Sequence, residues 1–584
     1  MNFTCEMINQ VALILLGIMN NYNNNQNLLN MKKYHFIARL SNYLFLIFLF
    51  CLIFSSCEKQ HFEIPESSTS QPDGMIKLGK KLENPFTVEN VKKAYNNLVS
   101  QGIVKSGFEI TATHQYVRLL PSDMEQFDML EADTLNVMFD YPLDYEIFEG
   151  GTYYFDPELD LQENPFTWQY VVIPIDKPIP AVKAEKIAEI VLDISAMKNT
   201  DAYTADLWDM IETEALRITG NLETEESTTK SRWRPSGTIT SWDDMLSRQI
   251  PLQGAKVRAR WWFFWNIGIT NADGYFEVDG TFKGGRKVNY AIIWERADWD
   301  IVGFNFEFFG WWQAYYNGPR QNTAWNLAIG SATDTDRSLR YATIHRALIH
   351  YFFSDRLGLK KPYDPAWYQW KLKVGYSHNA GTSNAIPYLT IYGRPHAEVY
   401  GRSSGSSTWR KTYDIFATTI HEVAHASHYD LIGRYSFSEA WNNKDTRIVV
   451  ESWAEAVEWG LTNQAYNALG HQYNNSTARN YNHSAGLQWW NRSLVNSSDP
   501  TDNDRFYTPL YIDMVDNINQ RQTYGGNTNY PNDNVTGYTF SLLEDKVLRH
   551  TYGLTSLRTK LKANKPSGVT DAQIDTLIDS YSNL

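Results

Sequence analysis

The stretch TYDIFATTIHEVAHASHYDLIG (residues 412–433) determines how the C-terminal half of this chain is interpreted. Its apolar residues recur at the spacing of a helix, and the stripe that they form consists of Phe416, Ile420, Val423, Ala424 and Leu431. At about 100° per residue, His421, His425 and His428 fall on a neighbouring stripe. The stretch therefore predicts a helix that packs one stripe on a core and places its histidines at the border of that core.

Two of these histidines have the spacing of metal ligands. His421 and His425 are four residues apart, about 6 Å along a helix axis, so both rings can converge on one tetrahedral zinc ion. His428 lies a further turn along, and a straight helix cannot direct three rings spread over about 10 Å at one ion. The motif His-Glu-x-x-His is the zincin signature, in which the glutamate, here Glu422, is the general base toward a water that the metal activates.

A third ligand has to come from elsewhere in the chain. The metzincin pattern requires glycine at 428 and histidine at 431, but the residues there are His428 and Leu431, so this pattern is excluded. The segment RIVVESWAEAVEWGL (447–461) also has helical periodicity, and three acids gather on one of its faces, namely Glu451, Glu455 and Glu458. Like charges at this spacing are unfavourable unless solvent or a cation offsets them. A bound cation would do so, whereas an amphipathic helix pair with solvated charges is the alternative.

Glu451-Ser-Trp-Ala-Glu455 resembles the Glu-x-x-x-Asp/Glu element of the gluzincin metallopeptidases. The resemblance covers about 45 residues, and it implies that Glu451 is the third zinc ligand and that Glu455 accepts the ring N–H of His421. The gap between His425 and Glu451 is longer than in thermolysin-like enzymes, which leaves Glu455 or Glu458 as alternative ligands. Gluzincins usually add a downstream oxyanion donor, for which the candidates are Tyr507, Tyr511 and His483.

A second resemblance concerns the middle of the chain. Residues 251–295 alternate and turn like an antiparallel sandwich, with Asp273-Gly274 marking a turn. The pattern is similar to carboxypeptidase regulatory-like, transthyretin-type modules, and the matching residues are Gly254, Ala255, Val257, Gly268, Thr270, Asp273, Gly274, Tyr275 and Phe276. Such modules support a neighbouring domain. We therefore expect the aromatic run WWFFW (261–265) to pack in the core and against another domain, with a glycan-stacking surface as the alternative.

The N-terminal segment has the layout of an export signal. The apolar run NYLFLIFLFCLIF (42–54) follows three basic residues and is shorter than the roughly 20 residues that span a bilayer. LIFSSC (52–57) resembles the lipobox of Gram-negative lipoproteins, which implies lipidation of Cys57. An uncleaved membrane anchor is the alternative. The other two cysteines precede Cys57, so thiolate ligands and disulfides are excluded from the body of the chain.

These features predict a multidomain α+β protein with a mainly helical zincin-like C-terminal domain and a small edge-stranded sheet. The predicted segments are a doubtful extension (1–30), a lipoprotein signal peptide (31–56), a tether (57–82), an N-terminal α+β domain (83–223), the sandwich (236–304) and the zincin-like domain (305–584). His345 and His350 do not share a helix face, so we interpret them as packing residues.

Composition restricts the function further. The chain has 584 residues and a net charge of −13, with no basic footprint for nucleic acid. The sequence therefore predicts a lipid-anchored, zinc-dependent metallopeptidase of the bacterial cell envelope, at the outer membrane, with Glu422 as general base and a peptide or protein as substrate. The alternatives are a non-catalytic surface lipoprotein that binds protein or glycan, and a zinc hydrolase of non-peptide amides.

Overall fold

The structure is a computed structural model, and it has a mixed α+β fold with mostly antiparallel sheets. It describes residues 74–107, 109–133, 137–160, 163–193, 205–223, 231–305, 310–362, 371–385, 395–432, 437, 443–471, 490–494 and 505–582. The chain divides into two compact units, Met1–Gln71 and Pro72–Leu584, and all the described residues belong to the second. The signal peptide, Cys57, the first part of the tether and His483 lie outside the described residues.

The first part of the second unit combines two small sheets with three helices. Strand β1 (Leu78–Lys81) pairs with β3 (Tyr145–Ile147), and the antiparallel sheet β4-β2-β5 is formed by β2 (His114–Leu120), β4 (Gln169–Pro174) and β5 (Lys183–Ile190). The helices are α1 (Val88–Ser100), α2 (Met124–Ala132) and α3 (Ala205–Ile218). Helix α1 begins where the Thr87 side chain accepts the Asn90 N–H, and it buries Val91, Ala94 and Leu98 against α3.

The region predicted as a sandwich is built from short strands in two main sheets, in which the pairs are antiparallel except for β17, which lies parallel to β7. The strands are β6 (Arg232–Trp233), β7 (Ser236–Asp243), β8 (Arg248–Pro251), β9 (Lys256–Trp261), β10 (Phe264–Ile269), β11 (Tyr275–Glu277), β12 (Phe282–Lys283), β13 (Val288–Ile293), β16 (Tyr315–Gln321) and β17 (Leu327–Ile329). One sheet has the order β10-β9-β13-β16, and the other has the order β11-β7-β17 with β8 beside β7. Gly274 has a positive φ of 75° in the turn between β10 and β11, as Asp273-Gly274 indicated.

The aromatic run at 261–265 packs as the sequence predicted. Trp261, Trp262 and Phe263 are buried, and the Phe86 ring contacts Trp261, Trp262, Phe263 and Phe264 edge-on at centroid distances of 5.6–6.2 Å. Phe86 belongs to the N-terminal part of the chain. The expectation of core packing is confirmed for Trp261, Trp262 and Phe263, whereas Phe264 and Trp265 are partly exposed.

A mixed five-stranded sheet with the order β15-β14-β18-β20-β19 supports the C-terminal helices. Its strands are β14 (Trp299–Asn305), β15 (Gly310–Gln313), β18 (Leu372–Gly381), β19 (Asn384–Ala385) and β20 (Ala397–Ser403). β18 lies parallel to both β14 and β20, and β19 is a two-residue edge strand. We predicted that the sandwich ends at residue 304, but the chain interleaves the two architectures there: β14 and β15 join the mixed sheet, and the chain then returns to the sandwich in β16 and β17.

The C-terminal part contains the helices that the site requires. The helices are α4 (Arg337–Phe353), α5 (Thr412–Ile432), α6 (Lys444–Ala468), α7 (Leu510–Val515), α8 (Gln520–Thr523), α9 (Phe540–Leu542), α10 (Leu554–Ala563) and α11 (Asp571–Ser582). Shorter turns occur at Arg356–Gly358, Arg492–Leu494 and, in π-helical form, Leu543–Leu548. Helix α5 packs against α4, α6 and β20. None of the helices in the described part of the chain combines the length and apolarity needed to cross a membrane.

Candidate metal centre

Two long helices bring the predicted ligands together. Helix α6 begins at Lys444 because the Asn443 side chain accepts the Thr446 N–H at 3.2 Å. It runs antiparallel to α5, so His425 faces Glu451 near the start of α6 and His421 faces Glu458 two turns later. The histidine pair of one helix thus faces the acidic stripe of the other.

Three side-chain atoms converge between these helices. The Nε2 atoms of His421 and His425 are 3.1 Å apart, and Oε2 of Glu451 lies 3.1 Å from Nε2 of His425 and 3.5 Å from Nε2 of His421. Ligands at about 2.0–2.1 Å from a tetrahedral ion are separated by about 3.3 Å, which is close to these values. His421, His425 and Glu451 therefore form a buried group of two imidazoles and one carboxylate that could hold a metal ion. We call these three side chains the convergent group.

The whole group is enclosed. His421, Glu422 and His425 are 5–6% exposed, and Glu451 and Glu458 are each 3% exposed. The sequence placed the histidines at the border of the core, but α4, α6 and β20 cover α5 on several sides and bury them. Burial on this scale is unfavourable for charged and polar groups unless they are paired or coordinate a cation.

Glu422 has an open carboxylate oxygen beside the three side chains of the convergent group. Its Oε2 atom has no hydrogen-bond partner among the described residues. Burial raises the pKa of Glu422 to about 8, against the lowering effect of the adjacent His421. A carboxyl group in this position is suited to exchange a proton with a small molecule bound beside it.

The outer contact of His421 differs from the one that the gluzincin resemblance implied. Nδ1 of His421 lies 3.0 Å from Oε2 of Glu458 and 3.7 Å from Oε1 of Glu455, so Glu458 accepts the hydrogen bond that we assigned to Glu455. The antiparallel crossing explains this, because it places the later acid opposite the earlier histidine. With Nδ1 donating to Glu458, the neutral form of the ring, which a bound metal ion would select, presents the Nε2 lone pair to Glu451 and His425.

The carboxylates also control the charge of His421. Burial opposes the imidazolium form, but hydrogen bonds to Glu451 and Glu458 outweigh it and raise the pKa of His421 well above its usual range. Glu455 and Glu458 form a second possible ligand set with His421, whose atoms lie within 4.8 Å of one another. Both sets share His421, and only the first includes His425.

The structure separates the two described candidates for an oxyanion donor. The Tyr507 ring lies nearly parallel to that of His421, with the centroids 5.8 Å apart, and it is partly exposed. Tyr511 is fully buried and packs edge-on against Trp453 at 5.4 Å. Tyr507 therefore borders the convergent group, whereas Tyr511 belongs to the core behind it.

The segment that carries Tyr507 is attached to helix α6 by a residue that the sequence analysis did not single out. The Ser452 hydroxyl donates to the Phe506 carbonyl at 3.0 Å, lies 2.7 Å from the Thr508 hydroxyl and accepts the Thr508 N–H at 3.2 Å. Ser452 directly follows Glu451. No sequence signal connects residues 56 positions apart, so this contact could be found only in the structure.

Two further histidines of the described residues, His428 and His345, lie outside the convergent group. His428 is fully buried, its ring nitrogens have no partner among the described residues, and burial lowers its pKa to about 3. His345 is buried between Trp294 and Trp299, and its Nε2 lies 2.9 Å from the Gln253 carbonyl oxygen. The interpretation of His345 as a packing residue is confirmed.

No family model matches the chain, and no curated protein sequence matches it significantly. The functional assignment therefore depends on the geometry of the site.

Proposed function

We propose that this chain is a zinc-dependent hydrolase that cleaves peptide bonds. The observation that carries the proposal is the convergence of His421 Nε2, His425 Nε2 and Glu451 Oε2 within 3.1–3.5 Å, beside the buried Glu422, whose Oε2 has no hydrogen-bond partner among the described residues. Two imidazoles and one carboxylate suit zinc, and three protein ligands leave one coordination position open.

When bound, zinc would supply a Lewis acid that lowers the pKa of a water molecule and polarises a carbonyl group. The residues of the chain perform the proton transfers. Glu422 takes a proton from the attacking water and returns it to the amine that leaves. Tyr507, beside His421, donates a hydrogen bond from its hydroxyl group to the oxyanion that develops on the substrate. Glu458 holds the His421 ring in the tautomer that binds the metal.

The test is the isosteric substitution Glu422→Gln in the purified body of the protein. Zinc content is measured by mass spectrometry, and cleavage is measured on a mixed peptide library. We expect one zinc per chain and a loss of cleavage by about 10²–10⁴-fold, because Glu422 is not a ligand but carries the proton.

Glu544→Gln is the matched control. Glu544 is a buried glutamate outside the site, and its Oε2 accepts the Lys360 N–H at 2.7 Å, which a glutamine oxygen also accepts. The control should keep zinc and activity. Unchanged cleavage in the zinc-loaded Glu422→Gln variant would contradict catalysis and favour a binding lipoprotein. Cleavage of small amides without any cleavage of peptides would instead assign a hydrolase of non-peptide amides.

We also propose that lipid on Cys57 anchors the protein in the bacterial envelope, at the outer membrane. The support is the lipobox-like LIFSSC after a short apolar run. Cys57→Ser should move the protein from the membrane fraction to the soluble fraction and abolish labelling by a radioactive fatty acid. Retention of the variant in the membrane fraction would favour an uncleaved anchor.

A further inference from the structure

A second polar cluster lies where the parallel strands β18 and β20 end, near the start of helices α4 and α5. It is formed around the Trp409 ring. The Arg402 guanidinium lies 4.8 Å from the centroid of that ring, the Arg340 guanidinium lies 6.0 Å from it, and the His378 ring centroid lies 4.3 Å from it. Carboxyl ends of parallel strands are a common place for ligand sites in sheets flanked by helices.

The cluster contains a buried cation with open donors. Arg340 is only 2% exposed, and its Nη2 donates to the Asp334 carbonyl oxygen at 3.0 Å. Its Nε and Nη1 atoms, and Nε of Arg402, have no acceptor in the part of the chain that the structure describes. Leaving buried charged donors unsatisfied is costly, so a group that accepts these hydrogen bonds would stabilise the structure.

Nearby acids are engaged with the backbone. Oδ1 of Asp334 accepts the Asp336 N–H at 2.7 Å, and Oδ1 of Asp336 accepts the Ser338 N–H at 2.8 Å. His378 adds no charge of either sign near neutral pH, because burial and the neighbouring Arg337 lower its pKa to about 4. The Tyr376 hydroxyl lies 3.1 Å from Nδ1 of His378. Three arginines, Arg337, Arg340 and Arg402, lower the pKa of His378 by their charge, and Asp336 raises it, so positive charge predominates around this ring.

The Trp409 platform is fixed in place. A Cβ atom at Gly401 would lie 2.4 Å from the Tyr376 hydroxyl and 2.9 Å from the Trp409 ring, so the two aromatic rings close directly over the strand. Arginines stacked on an aromatic face are held in orientation, which reduces the entropy lost when they bind a ligand.

We propose that Arg340 and Arg402, arranged on Trp409, form a binding site for a single oxyanion group, a carboxylate or a phosphate. Guanidinium donors match the paired oxygens of these groups. The proposal is independent of the hydrolase function.

Arg410, the residue after Trp409, donates to the Thr418 hydroxyl of α5 at 3.0 Å, one turn before Glu422. The segment that carries Trp409 is thus attached to the same helix that carries the proposed metal ligands.

The test measures thermal unfolding of the full body of the protein in chloride, phosphate and acetate at constant ionic strength. We expect phosphate or acetate to raise the unfolding midpoint of the wild-type protein by about 2 °C or more relative to chloride. Calorimetric titration with the effective anion should give an affinity that falls at least about 10-fold in Arg402→Gln. Arg340→Gln should behave similarly, and Arg402→Gln carries the test if the buried substitution prevents folding.

Arg118→Gln is the matched control. Arg118 also stacks on a tryptophan, Trp168, at 4.3 Å, but its Nε and Nη2 donate to Glu185. This variant should keep the wild-type response to the anion. A response to phosphate alone, or also to acetate, would support the site and identify the class of anion. Equal midpoints in all three salts, or an unchanged affinity in Arg402→Gln, would overturn the proposal.

Discussion

At the scale of single residues, Glu458 is the carboxylate that orients a proposed metal ligand. It lies 3.0 Å from Nδ1 of His421, whereas Glu455 lies 3.7 Å away. Loss of such an outer partner typically weakens metal binding by about 10–100-fold. We therefore expect Glu458→Gln to lower zinc affinity by this amount and Glu455→Gln to lower it less, as measured by competition with a chelating dye. A larger effect of Glu455→Gln would show that the gluzincin arrangement holds in solution.

Ser452 tests whether Tyr507 acts in catalysis. Its hydroxyl holds both neighbours of Tyr507, Phe506 and Thr508. If Tyr507 stabilises an oxyanion, Tyr507→Phe should lower kcat by about 10²-fold with KM and zinc content unchanged, since loss of one such donor costs this much. Ser452→Ala should lower kcat by a smaller factor.

The double variant separates positioning from a general structural effect. Ser452→Ala added to Tyr507→Phe should reduce kcat no further, because the group that Ser452 positions has already been removed. Independent, multiplicative losses would assign Ser452 another role.

At the scale of elements, periodicity predicted the helices that form the site. The stretch at 412–432 is the helix Thr412–Ile432, and the stretch at 447–461 lies within Lys444–Ala468, which Asn443 caps. The stretch SLLEDKVLRHTYGL (541–554) also has helical spacing, yet the structure there consists of the short helix Phe540–Leu542 followed by a π-helical turn at Leu543–Leu548. Helical spacing shows which residues share a face, and it does not show how two helices cross.

The crossing of α5 and α6 explains which site residues the sequence could identify. His421 and His425 followed from one helix alone, and Glu451 required a family resemblance. Glu458 and Tyr507 depended on tertiary placement, because the first needs the direction of α6 relative to α5 and the second needs the course of residues 505–509. The pairing of distant strands likewise has no local signal, so the interleaving of β14 and β15 with the sandwich strands was not predicted.

Asp140, which lies next to strand β4, makes the free energy of unfolding depend on pH. It is 4% exposed, its Oδ1 accepts from the Gln169 side chain at 3.0 Å, and burial raises its pKa to about 7. The folded protein therefore holds a proton that the unfolded chain loses near pH 4. The stability from this group is complete below about pH 4 and is lost as the pH rises through about 7.

Asp140→Asn removes this titration. We expect the free energy of unfolding of the variant, relative to wild type, to increase between pH 5 and pH 8 in urea denaturation. A difference that is the same at both pH values would show that Asp140 does not retain a proton in the folded protein.

At the scale of the whole molecule, a buried ionic cluster joins the N-terminal part to the mixed sheet. Lys373 of β18 lies 2.6 Å from Glu131 of α2, and Lys371 lies 3.1 Å from Glu295 and 3.2 Å from Asp300. Lys256 pairs with Glu295, so three ammonium groups balance three carboxylates. The acids could also form a metal-binding set by their spacing, but the lysines already neutralise them.

Removing one lysine should destabilise the fold strongly. Lys373→Met leaves buried carboxylates uncompensated, and we expect the free energy of unfolding to fall by about 3–5 kcal/mol in urea denaturation. Lys80→Met is the control, because its pair with Glu146 at 3.7 Å is exposed and should contribute less than about 1 kcal/mol. Similar small losses in both variants would mean that the cluster does not join the two parts of the molecule.

The most direct test of the account is an anomalous diffraction map at the zinc edge, from crystals of the protein body grown with zinc. We predict a single strong peak between helices α5 and α6, about 2.0–2.2 Å from Nε2 of His421, Nε2 of His425 and Oε2 of Glu451. The proposed zinc site would be contradicted if no peak appeared there while zinc bound fully at another place in the crystal. A peak among His421, Glu455 and Glu458 would also contradict it.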